Sequence, residues 1–248
     1  DHLPEENLFL RAIVTQNLGV AYHWSGDSAA AVQALTAAVE LSRAANQPFQ
    51  ALTAMAIRGR AHEMQGALRQ AMEVYKDALE FASQAGSRPV PFACMAYVGM
   101  AGPLYEWNDL DGAMHYATEG IRLSELGGFV AYQLFGHVRL ARVCQAQGNR
   151  DDALDALQRA ELLSQRADYA LVAALATALR VRWWLAQGNL AAASRWAEAH
   201  QTDTVGDLDA AGEIEQMAVA RVHLAQGRPG KALRLLTWLS DEAQANGR

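Results

Sequence analysis

Four arginines recur at one place in a repeating pattern of this sequence, and their chemistry favours the binding of anionic or polar ligands. Each stands six residues before the glycine of a tight turn: Arg60, Arg142, Arg182 and Arg221. A guanidinium group is permanently charged and donates paired hydrogen bonds to carboxylates, and its N–H groups also suit sugar hydroxyls. The spacing therefore predicts a row of cationic side chains along one surface.

A second set of residues follows three positions later, almost one helical turn on, and would share that surface. The set that we predict to contact a ligand is His23, Glu63, Tyr105 and Gln145. Tyr105 offers an aromatic face for stacking, as do Trp24 and Trp107. A competing interpretation is that the arginines pair with carboxylates such as Glu63 and Glu106 or are simply solvated. Exposed pairs of that kind contribute only about 0 to 1 kcal/mol.

The turns that set this spacing recur through the whole chain. The turn residues are Gly26, Gly66, Asn108, Gly148, Gly188 and Gly227, at steps of 40, 42, 40, 40 and 39 residues. Five residues after each turn stands an alanine: Ala31, Ala71, Ala113, Ala153, Ala193 and Ala232. An even period of this length is typical of a repeat array in which each unit is one helix-turn-helix.

Composition and periodicity both favour helices. Apolar residues recur at helical intervals, and only 8% of the residues are aromatic, which suits packed helices better than sheets. We therefore predict an all-α fold of about six helix-turn-helix repeats in a single domain over residues 1–248. The predicted repeats span about 7–45, 48–85, 89–126, 130–166, 169–200 and 213–245.

The small residues around each turn resemble the tetratricopeptide (TPR) signature. Seven positions before the turns stand Gly19, Gly59, Ala101, Ala141, Val181 and Ala220. Twelve positions after them stand Ala38, Ala78, Gly120, Ala160, His200 and Leu239. The resemblance implies an α-α superhelix with a concave groove, and it places the arginine row in that groove. The period exceeds the family's ~34 residues, so we expect longer helices and linkers.

The long period narrows the resemblance further. Together with the segment 104–110 and the repeated Ala-Gln-Gly turn, it is similar to the sensor region of MalT-like large ATP-dependent LuxR-family transcriptional regulators. In that family an ATP-binding switch domain precedes the helical repeats and a helix-turn-helix domain follows them. The resemblance therefore implies a fragment of a longer regulatory protein.

Several function classes find no support in the sequence. A net charge of −6 gives no electrostatic basis for direct contact with nucleic acid. The seven histidines and two cysteines lack metal-ligand spacing, and no nucleophile motif is present. We accordingly predict no metal, no cofactor and no enzyme activity. No apolar run reaches the ~18 residues that cross a bilayer, so we expect a cytoplasmic protein without membrane contact.

Two functional hypotheses remain. The chain is either a sensor that binds a small-molecule effector or regulatory partner in its groove, or a TPR scaffold that recognises a peptide or helix. The last helix adds an expectation about self-association, because it is very apolar for a terminal helix. An exposed patch on it would allow the chain to dimerise.

Overall fold

The computed structural model describes residues 7–84, 91–164, 170–200 and 209–245, and the regular structure in these ranges is α-helical except for a short 3-10 segment at Pro91–Ala93. The helices are α1 (Leu8–Trp24), α2 (Ser28–Ala44), α3 (Pro48–Met64), α4 (Leu68–Ser83), α5 (Cys94–Glu106), α6 (Leu110–Gly127), α7 (Val130–Ala146), α8 (Arg150–Ser164), α9 (Ala170–Ala186), α10 (Leu190–His200), α11 (Ala210–Ala225) and α12 (Pro229–Ala245). The predicted fold class is confirmed. The repeat limits at residues 85, 89, 166 and 169 lie outside the described residues, so the division into repeats stays a prediction.

The six predicted turn residues all take the left-handed backbone conformation. Their φ angles lie between 61° at Asn108 and 86° at Gly26. Only glycine, and to a lesser degree asparagine, adopts this conformation without strain, which explains the choice of residue. Asp27 then caps α2, since its side chain accepts a hydrogen bond from the Ala30 amide at 3.0 Å. Each turn thus stops one helix and reverses the chain into the next.

The small residues that flank the turns are the close contacts of the stack. All six alanines that follow the turns by five positions are buried, at most 1% exposed. The six residues that precede the turns by seven positions are buried as well. At Gly19 an added Cβ would lie 2.6 Å from Cγ of Leu35, so only glycine lets α1 and α2 approach this closely. Small side chains therefore set the distance between the two helices of a repeat.

The helices form two layers. Each helix contacts the next one along the chain, and every odd-numbered helix also contacts the next odd-numbered helix. No pair of even-numbered helices has comparable contact within the described ranges. The odd helices are therefore crowded together on the inner side and the even helices are spread on the outer side, as in a superhelix whose concave face is built by the first helix of each repeat.

Candidate functional site

The centre of the inner face is a buried ion pair between two repeats that are not neighbours. Glu63 on α3 accepts hydrogen bonds from Nη2 of Arg139 on α7, at 3.0 Å to each carboxylate oxygen. The two side chains are only 19% and 16% exposed. Tyr75 on α4 donates a third hydrogen bond to Glu63 Oε1 at 2.6 Å. We call Glu63, Tyr75 and Arg139 the clamp.

Three glycines make room for the clamp. An added Cβ on Gly102 of α5 would collide with the guanidinium of Arg139 and lie 2.5 Å from Glu63 Oε2. Added Cβ atoms on Gly59 and Gly99 would both collide with the ring of Tyr75. The phenol of Tyr75 therefore reaches the inner face by passing between α3 and α5, and the ion pair crosses α5 where that helix has no side chain.

The electrostatics of the clamp favour its charged form. Burial lowers the pKa of Arg139, but the combined effects of Glu63, Tyr75 and Glu106 outweigh burial, and the pKa is raised. Burial and the neighbouring Glu63 carboxylate raise the pKa of Tyr75 well above its usual value, so the phenol keeps its proton and donates it. Glu63 thus serves as a shared acceptor for two donors that cannot easily change protonation state.

Arg60, the first member of the predicted row, is held by aromatic rings. Its guanidinium carbon lies 4.4 Å from the ring centre of Phe135 and 5.3 Å from that of Trp24. Burial lowers the pKa of Arg60. His23 lies beside Trp24, with ring centres 4.8 Å apart, and is 1% exposed. Burial and the charge of Arg60 lower the pKa of His23 to about 4, so the imidazole is neutral.

Arg142 contacts both an aromatic ring and a carboxylate. Its guanidinium lies 4.2 Å from the ring centre of Tyr105 and donates to Glu106 Oε1 at 2.9 Å. This ion pair is one third to one half exposed, so water screens it. Gln145 lies one turn further along α7 and is half-buried. The competing interpretation, in which the arginines pair with nearby carboxylates, therefore holds for Arg142.

The remaining two arginines of the row are different. Arg182 on α9 and Arg221 on α11 are exposed, and neither side chain has a hydrogen bond, ion pair or ring contact with any residue that the structure describes. The helices that carry them pack against each other. The predicted row is thus divided, with engaged arginines on α3 and α7 and unengaged arginines on α9 and α11.

Sequence reasoning missed two members of the clamp. Arg139 stands nine residues before its turn, three before the predicted row, and Tyr75 belongs to an outer helix. The signal that would have found them is the presence of glycines inside helices, where glycine is unfavourable unless another group approaches the backbone. Gly59 stands seven residues before its turn and Gly102 stands six residues before its turn, so both belong to the repeat pattern. Neither the spacing nor the composition shows which side chain occupies the space beside them.

Other polar or reactive groups lie in the packing between helices. Burial raises the pKa of Cys94 to about 12 and also raises the pKa of Cys144, so both thiols are unreactive. Trp183 packs against one core cluster and Trp184 and Trp196 pack against the next, so these rings fill space between helices. Across the described ranges, no three His, Cys, Asp or Glu side chains are grouped as metal ligands would be. Nor is any helix in those ranges both long and apolar enough to cross a bilayer.

An all-α solenoid of helical hairpins, packed through small residues at fixed distances from each turn, is the architecture of a TPR-type domain. The family model described as the MalT-like TPR region matches residues 1–248, so the chain belongs to that family. No curated protein sequence matches the chain.

Solved structures of low sequence identity share the fold. The Rap conjugation gene regulator of plasmid pLS20, in complex with the Phr* peptide, has a TM-score of 0.67 at 16% identity, covering 99% of this chain and 66% of that one. NprR in complex with its cognate peptide NprX has a TM-score of 0.65 at 16% identity, with coverages of 98% and 70%. A signal-transduction ATPase with numerous domains from Pyrococcus horikoshii, which carries a TPR sensor, has a TM-score of 0.59 at 16% identity and coverages of 98% and 39%.

Proposed function

We propose that this chain is the sensor region of a MalT-like LuxR-family transcriptional regulator and that it binds a peptide effector along its inner face. The observation that carries the proposal is the line of arginine and aromatic side chains on the odd-numbered helices, in which Arg182 and Arg221 have no partner among the described residues. Two neighbours of the same fold are complexes with peptides, which supports a peptide as the ligand. The role is regulatory rather than catalytic, and the proposed location is the cytoplasm.

The contacts of the inner face favour an extended ligand over a small ring. A sugar would need a free aromatic face, but Tyr105 already contacts the guanidinium of Arg142 and Trp24 contacts that of Arg60, which leaves the exposed Trp107 in the turn after α5. Among the predicted contact residues, His23, Glu63 and Arg60 belong to the floor of the groove and support its shape. The residues that we propose as direct contacts are Tyr105, Arg142, Gln145, Arg182 and Arg221.

Selection of short random peptides displayed on phage against the purified chain tests this function. We expect enriched peptides whose synthetic versions bind in calorimetry and protect the amides of odd-numbered helices, α5 to α11, from hydrogen exchange. Protection confined to the even-numbered helices would contradict the assignment of the inner face. Failure to enrich any peptide would contradict a peptide effector, and a small-molecule effector would then become the leading hypothesis.

The last helix supports a separate proposal, that the chain associates with a second copy through α12. Leu233 and Leu236 on this helix are 67% and 40% exposed, whereas Leu235 packs inward. Exposed apolar surface of this kind favours self-association. Sedimentation of the purified chain should show a dimer that dissociates when both exposed leucines are replaced by lysine. A monomer in the unsubstituted chain at every concentration tested would contradict the proposal.

A further inference from the structure

The unengaged arginines lie on the same level of two touching helices. Arg182 stands six residues before the turn that follows α9, and Arg221 stands six residues before the turn that follows α11. The two helices pack directly on each other, and packed helix axes are about 8 to 10 Å apart. A guanidinium at the end of a long, flexible side chain spans much of that distance, so both groups can reach one anion between the helices.

Exposed apolar side chains flank these arginines. Met217, Arg221 and Leu224 follow one another at intervals of four and three residues, so they form one stripe on α11. Met217 is 40% exposed and Leu224 is 54% exposed. Leu185, three residues after Arg182, is half-buried at the equivalent place on α9. The surface made by Met217, Leu224, Leu185 and the two arginines is called the α9–α11 surface below.

No carboxylate within the described residues neutralises this surface. Helix α9 contains no Asp or Glu, and those of α11, Glu213 and Glu215, lie in its first two turns. None of the ion pairs among the described residues includes Arg182 or Arg221. The inner face near α3 and α7 differs, because Glu63 and Glu106 engage the guanidinium groups there. Two positive charges set among apolar side chains are therefore left for a partner to match.

We infer that the α9–α11 surface is the specificity site of the proposed groove and that it selects a peptide in which a carboxylate is flanked by apolar side chains. The carboxylate, from Asp, Glu or the peptide's own C-terminus, lies between Arg182 and Arg221 and accepts hydrogen bonds from both. The apolar side chains pack on Met217 and Leu224. This inference rests on the proposed peptide-binding function and adds the chemistry of the peptide to it.

The enriched peptides from the phage selection provide the probes. We expect them to share an acidic residue or C-terminal carboxylate beside Leu, Ile, Met or Phe. Replacing both arginines, R182Q with R221Q, should weaken the binding of such a peptide by tenfold or more, since each guanidinium donates a charge-assisted hydrogen bond to the carboxylate. Binding to the unsubstituted chain should also weaken as salt concentration rises.

Matched variants separate this site from a general effect of charge. Arg195 is an exposed arginine on α10, an outer helix, so R195Q removes one charge away from the groove and should leave affinity unchanged. Leu224→Ser should weaken binding, whereas Leu162→Ser, which changes a leucine 57% exposed on α8, should not. All these positions are at the surface, so melting temperature should change little and will confirm that the variants fold.

The outcomes distinguish this inference from the proposed function. If enriched peptides lack a carboxylate, or if the double arginine variant binds them as the unsubstituted chain does, the inference is overturned while peptide binding stands. If the double variant and R195Q weaken binding equally, the effect is one of net charge, and the inference is likewise overturned. If no peptide is enriched, the proposed function fails and the inference fails with it.

Discussion

Arg139 and Glu63 lie 76 residues apart in the chain, yet one nitrogen of the guanidinium is 3.0 Å from both carboxylate oxygens. The contact joins α7 to α3 across α5. Side chains on helices two repeats apart can meet across α5 because Gly102 has no side chain there and the inner face is concave. The ion pair therefore both depends on the curvature and stabilises it.

Removing the charge of Glu63 should destabilise the chain. In Glu63→Gln the guanidinium of Arg139 stays largely buried without its counter-ion, and hydrogen bonds to charged groups contribute about 1.5 to 3 kcal/mol. We expect urea denaturation to show a loss of about that size. Asp155→Asn, which breaks an exposed ion pair with Arg159 on α8, is the control and should change stability by about 0 to 1 kcal/mol. Equal effects of the two substitutions would contradict a special role for the clamp.

Adding a single carbon at Gly102 should open the clamp. Alanine favours a helix over glycine by about 1 kcal/mol, but at this place its Cβ collides with Arg139, and overpacking costs about 1 to 3 kcal/mol. We expect Gly102→Ala to lower the melting temperature in differential scanning calorimetry. The matched control is Gly230→Ala in α12, where an added Cβ meets nothing within 4 Å and should be neutral or stabilising. A higher melting temperature for Gly102→Ala would show that the clamp side chains can move aside without loss of stability, which would contradict the prediction.

The ring and the hydroxyl of Tyr75 should be separable. Tyr75→Phe keeps the ring between Gly59 and Gly99 and removes only the bond to Glu63, at a cost of about 1 kcal/mol or somewhat more. Tyr75→Ala also leaves a cavity, and replacements of large buried aromatic residues cost about 3 to 5 kcal/mol. Chemical denaturation of both variants should show that Tyr75→Ala loses more stability than Tyr75→Phe. Equal losses would mean that the ring contributes nothing beyond its hydroxyl.

Stability should fall as the solution becomes mildly acidic. Burial lowers the pKa of His23 and of His137 from 6.5 to about 4, so between these pH values the unfolded chain binds protons that the folded chain does not. The contribution of each neutral histidine is therefore complete above pH 6.5 and is lost as the pH falls toward 4, by at most about 3 kcal/mol each. His23→Gln should flatten the pH dependence of the free energy of unfolding. His115→Gln, at an exposed position on α6, should leave the dependence unchanged.

The regular parts of the fold were predictable from the sequence because they depend on local chemistry. Left-handed turns need Gly or Asn, and close helix contacts need Ala or Gly, so counting from Gly148 located both the buried Ala153 and the buried Ala141. The state of each arginine was not predictable. Whether Arg60 contacts Phe135, or Arg182 has no partner within the part of the chain that the structure describes, depends on how far the stack curves. The curvature results from the small rotation between each repeat and the next, and no single sequence motif determines it.

The route that Tyr75 takes through the fold gives the two sides of the solenoid a direct means of communication. Its backbone belongs to outer helix α4, but its hydroxyl ends on a carboxylate of the inner face. Ligand binding above the groove floor that shifts Glu63 would leave the buried phenol without an acceptor, and the energetic penalty would fall on the outer layer. Ligand binding in the groove would thereby affect the packing of the outer helix α4, which the ligand does not touch.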